Sequence, residues 1–66
     1  MPIVKIDLWE GRTKEDKRKL IRAVSKAVSE SIGCPIEYVT VVINDTPKDN
    51  WGIRGDQASE MKFGKK

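Results

Sequence analysis

The chain has 66 residues, 38% of them hydrophobic, with 13 Lys and Arg against 10 Asp and Glu and a formal net charge of +3. That length holds one domain, residues 1–66, which buries only about 60% of the surface its unfolded form exposes. One cysteine and no histidine exclude an internal disulfide and a Cys/His metal cluster, which leaves oligomerisation as the expected staple.

No apolar run approaches the ~20 residues of a membrane span. Lys5, Asp7 and Glu10 interrupt any signal-peptide core. No membrane partner is expected, and the lone thiol of Cys34 fits a reducing cytoplasm. The mild positive excess favours anionic partners but is too spread out to demand nucleic acid.

Met1-Pro2 opens the chain. If Met1 is removed, Pro2 becomes a secondary amine able to accept a proton. If Met1 stays, Pro2 is an ordinary amide. Ile3–Trp9 reads as a strand, with Val4, Ile6 and Leu8 on one face and Lys5 and Asp7 on the other. Glu10-Gly11-Arg12 breaks that pattern at a turn.

Thr13 is a good helix N-cap, and Glu15 and Asp16 suit the first turn. From Lys14 to Ile32 the pattern is helical, with Leu20, Ile21, Val24, Ala27, Val28 and Ile32 on one stripe. Lys17, Arg18, Arg22, Lys26 and Glu30 fall largely off it, as a solvated face. Gly33 suits the C-terminal cap, and Pro35 stops continuation. Ile36-Glu37 is a connector.

Val39–Asn44 reads as a second strand, apolar enough to be covered on both sides. Asp45–Asn50 carries Pro and Asx turn chemistry. Trp51-Gly52-Ile53-Arg54-Gly55 suits a tight hairpin. The tail from Asp56 is polar, and residues of about 63–66 are expected to be disordered. Strand, long helix and strand predict a parallel pair. Two strands and a helix cannot enclose a core, so subunits should join their sheets.

Pro2 opening a strand, Leu8-Trp9-Glu10-Gly11-Arg12-Thr13, the long helix, Val41-Val42-Ile43, and Trp51-Gly52-Ile53 before Gly55 and Ala58-Ser59 together resemble the 4-oxalocrotonate tautomerase family. The resemblance covers nearly the whole chain. It implies an α+β fold: a β-α-β unit of two parallel strands and a long helix, with a C-terminal hairpin and sheets joined across subunits. It implies a homo-oligomer, either a hexamer built as a trimer of dimers or a dimer, and no cofactor or metal. It implies an isomerase, a keto-enol tautomerase acting on small anionic acids of the 2-hydroxydienoate or enolpyruvate type.

By the same resemblance Pro2 matches the catalytic base and Arg12 an arginine that grips a substrate carboxylate. Trp51 stands where the family has an aromatic wall. Thr40 occupies the position of a second arginine, and Trp9 replaces a smaller aliphatic residue near the site. Lys48 and Arg54 are candidates for the missing charge. The base should work with a pKa near ambient pH. Desolvation by Trp51 and the charge of Arg12 both push the amine downward.

Three other readings compete. One is a dehalogenase or hydratase on the same fold, with Asp49 or Asp56 as the carboxylate that activates water. Another is a basic oligomeric module that presents helix cations to nucleic acid. The last is a structural oligomer with a relic site.

Overall fold

The computed structural model describes residues 1–61. The expected disorder of the last residues lies outside the described residues. Strand β1 (Ile3–Trp9), helix α1 (Lys14–Ile32) and strand β2 (Thr40–Thr46) are followed by a short hairpin, β3 (Gly52–Ile53) and β4 (Asp56–Gln57). Short helical turns fill Ile36–Tyr38, Lys48–Asn50 and Ala58–Glu60.

β1 and β2 pair in parallel, in register from Ile3 opposite Thr40 to Trp9 opposite Thr46. The β1 alternation holds: Val4, Ile6 and Leu8 are half-buried, while Ile3, Lys5 and Asp7 are exposed. α1 covers that half-buried face, packing against β2.

The helix begins and ends where its caps dictate. Thr13 Oγ1 accepts the Asp16 N–H at 3.0 Å, and Asp16 Oδ2 accepts the Thr13 N–H at 3.3 Å. This capping box satisfies two N–H groups that the helix leaves orphaned. At the other end Gly33 takes a left-handed φ of 71° and donates its N–H to the Ser29 carbonyl. A residue with a Cβ adopts that conformation at a cost. The Ser29 hydroxyl donates to the Cys34 carbonyl at 2.5 Å, fastening the chain as it leaves the helix.

Two expectations need correction. β2 runs on through Asp45 and Thr46, which read as turn residues. The ladder with Leu8 and Trp9 holds them extended, and the Glu10 N–H still reaches the Thr46 carbonyl at 3.1 Å. Within the single chain Val41 and Ile43 are half-buried, while Val42 is exposed. Lys17 is not part of a solvated face; it is half-buried and ion-paired with Asp45 at the end of β2.

The hairpin is a two-residue turn. Ile53 pairs with Asp56, and between them Arg54 and Gly55 have φ of 55° and 88°. Positive φ at both central residues is the type I′ pattern, whose twist suits paired strands.

Among the described residues only Ala58 is fully buried. Ile3, Ile32 and Tyr38 remain more than half exposed, and Val42 contributes to the same bare outer sheet face as Ile3. A single chain thus orders its backbone without enclosing a core. No described helix is long and apolar enough to cross a membrane.

Candidate active site

Pro2 stands just ahead of β1, half-buried, with Met1 before it 87% exposed. Its carbonyl accepts the Thr40 N–H at 3.0 Å. Pro2 and Thr40 are therefore backbone neighbours at the entry end of the parallel pair. This contact uses the Pro2 carbonyl and leaves the Pro2 nitrogen out of the ladder.

Trp9, Arg12, Lys48 and Trp51 gather at the opposite end. A pocket of about 830 Å³ opens there, lined by Leu8, Trp9, Arg12, Lys48, Trp51 and Met61 together with the acidic Asp7, Glu10 and Asp16. Trp9 and Trp51 meet edge to face, with ring centroids 5.9 Å apart and planes at 79°. This arrangement places the positive edge of one ring against the negative face of the other. Together the rings make an apolar corner.

The backbone fixes Trp51 in that corner. Its N–H donates to the Lys48 carbonyl at 3.2 Å, and its carbonyl accepts from Ala58 N–H at 2.8 Å. Arg12 reaches the pocket because it falls between the end of β1 and the Thr13 cap. The strand and the helix start thereby set its position from both sides.

Pro2 and Trp9 are seven residues apart on one extended segment, roughly 23 Å at about 3.3 Å per residue. One small acid cannot touch both within a single chain. The structure brings Arg12, Trp9 and Trp51 together, and separately Pro2 with Thr40. It does not bring these two groups together inside one subunit.

The compensating cations part company as well. Lys48 lines the pocket, its Nζ 4.8 Å from the Trp9 ring centroid. Arg54 sits in the hairpin turn and does not line it. The Lys48–Trp9 contact joins residues 39 positions apart, and sequence spacing gave no signal for it. Asp49 and Asp56 do not line the pocket either. The Asp49 carbonyl instead accepts from Gln57 Nε2 at 3.0 Å. On the helix, a second groove is lined by Lys14, Lys17, Arg18, Ile21 and Arg22, but Lys17 is committed to Asp45 and Arg18 to Glu15. Among the described residues no cluster of three or more His, Cys, Asp or Glu is placed to hold a metal.

Known proteins resemble this chain in fold and sequence. The tautomerase enzyme family matches residues 2–61. A 2-hydroxymuconate tautomerase of Pseudomonas putida is 48% identical over 92% of this chain and 97% of its own length. A 4-oxalocrotonate tautomerase isozyme from Methylibium petroleiphilum is 50% identical, with a TM-score of 0.85 over 88% of this chain and 94% of that one. A heterohexamer 4-oxalocrotonate tautomerase from Chloroflexus aurantiacus superposes with a TM-score of 0.89 at 31% identity, covering 94% of this chain and all of that one. On fold, length and sequence together, the chain belongs to the tautomerase enzyme family and is an isomerase.

Proposed function

We propose that this chain is a cofactor-independent tautomerase in which Pro2, released by removal of Met1, is the general base for enol-keto proton transfer. Its substrates are small 2-hydroxydienoate or enolpyruvate acids. The observation that carries the reading is the pocket where Arg12 opens onto the Trp9–Trp51 corner, a cation beside an apolar wall. Relatives named as 2-hydroxymuconate tautomerases support the substrate class.

The free amine accepts the proton of the substrate's 2-hydroxyl. The O–H bond breaks, the conjugated π electrons shift, and the amine returns the proton to carbon as a C–H bond forms. Nothing is oxidised or reduced. Arg12 holds a carboxylate bidentately and meets charge that builds on the dienolate. Its charge and the apolar surroundings both disfavour the protonated amine, which keeps the base ready.

The site forms between subunits. Pro2 of one chain meets the pocket of another, because the two lie at opposite ends of the same strand. The bare outer sheet face around Ile3 and Val42 supports a homo-oligomer, of which a trimer of dimers is the form we favour. The heterohexameric relative supports that choice. We assign the enzyme to the cytoplasm, where its lone thiol stays reduced.

The test combines intact mass with kinetics. The mass should show Met1 removed. Pro2→Ala should lower kcat by roughly two orders of magnitude or more. Arg12→Ala should act chiefly by raising KM. Ketonisation indifferent to both substitutions would refute the reading.

A further inference from the structure

We propose that Lys48, seated on the ring of Trp9, is a second acid-gripping cation of this pocket and makes it selective for conjugated acids with two carboxylates. The proposal rests on the tautomerase reading for the ligand being a conjugated acid, but not on Pro2 being the base.

Lys48 is held in place. It opens the short helical turn Lys48–Asn50, and its carbonyl accepts the Trp51 N–H at 3.2 Å. The backbone that carries the ammonium is thus tied to the residue that walls the pocket. The ammonium lies 4.8 Å from the Trp9 centroid, and Trp9 in turn meets Trp51 at 5.9 Å. A cation over an indole face is attracted by the ring but has lost water on that side. An anion on its open side restores what it lost.

Among the described residues neither pocket cation is paired with a carboxylate. Among the described residues the ion pairs are Lys17 with Asp45 and Arg18 with Glu15. Arg12 and Lys48 join neither, although Asp7, Glu10 and Asp16 line the same pocket. Asp16 is occupied by the helix cap. Two uncommitted cations, one before the helix and one on the turn after β2, hold an acid at two points. The apolar corner of Trp9 and Trp51 suits the flat conjugated carbons between. An acid with one carboxylate leaves one cation uncovered.

A charged contact of this kind changes affinity by about tenfold or more. The test uses muconate, with two carboxylates, and sorbate, with one. Both lack the enol and are not turned over. Binding to the full chain is read from tryptophan fluorescence.

The wild type should bind muconate at least about tenfold more tightly than sorbate. Lys48→Met should remove most of that preference, and Lys48→Arg should keep it. Trp9→Leu, which removes the seat but not the charge, should give an intermediate ratio, and Trp9→Phe should restore it. A wild type without the preference, one that binds neither acid, or a ratio that Lys48→Met leaves unmoved would overturn the proposal. Because neither acid reacts, a Lys48-dependent ratio in a chain without ketonisation activity would remove Pro2 as base and leave Lys48 in its role.

Discussion

Thr13→Ala isolates the link between the helix cap and the pocket. Thr13 has extended backbone angles, φ −78° and ψ 166°, which alanine adopts freely. The substitution therefore removes the hydroxyl, with its 3.0 Å bond from the Asp16 N–H, and an exposed methyl group. The reciprocal bond from the Thr13 N–H to Asp16 survives at 3.3 Å, and both residues are exposed, so water can replace the lost partner. These facts point to the middle of the usual range, about 1 kcal/mol. For a domain this small that is a melting shift of about 4–8 °C, measured at one protein concentration because assembly contributes to stability. Arg12 directly precedes the cap, so fraying of the first turn should also raise KM. That rise is bounded at about fivefold, the equilibrium equivalent of ~1 kcal/mol. Thermal melts by circular dichroism and steady-state ketonisation read the two effects, with Thr13→Ser as the control that keeps the hydroxyl. If Thr13→Ser falls as far as Thr13→Ala, the cap explanation is wrong. A KM rise beyond tenfold with an unchanged melt would instead make Thr13 a substrate contact.

Two more outcomes are expected. An uncleaved N-terminal extension leaves the Thr40–Pro2 hydrogen bond in place but turns the Pro2 nitrogen into an amide; it should reduce kcat by roughly two orders of magnitude or more, with an unchanged far-ultraviolet spectrum, and full activity would refute the role of the amine. Arg54→Asn places the preferred Asn-Gly pair in a turn where arginine now holds a φ of 55°; it should stabilise the fold by about 0.5–1 kcal/mol, read as a higher urea midpoint.

The local elements were legible because their signals are local. Alternation fixed Ile3–Trp9, and Thr13 with Gly33 marked the ends of Lys14–Ile32. What was missed depends on partners distant in sequence. Asp45 and Thr46 have turn chemistry, but the register with Leu8 and Trp9 draws them into the ladder. Lys17 looked solvated by helical spacing, yet its partner Asp45 lies 28 residues away. At the site, Arg12, Trp9 and Trp51 were recognisable by residue type and resemblance. Their meeting depends on the fold of the 48–58 segment, which returns Trp51 and Lys48 to the end of β1. The separation of Pro2 from Arg12 follows from counting residues along a strand.

That separation governs how damage spreads. In the proposed assembly a chain with Pro2→Ala still lends its neighbour an intact pocket, and a chain with Arg12→Ala still lends an intact amine. Two inactive proteins made in one cell would rebuild some working sites between them. One defective copy beside a sound one would spoil sites that the sound chain helps to form. The unit that carries the activity, and on which selection acts, is then the junction between chains rather than the chain.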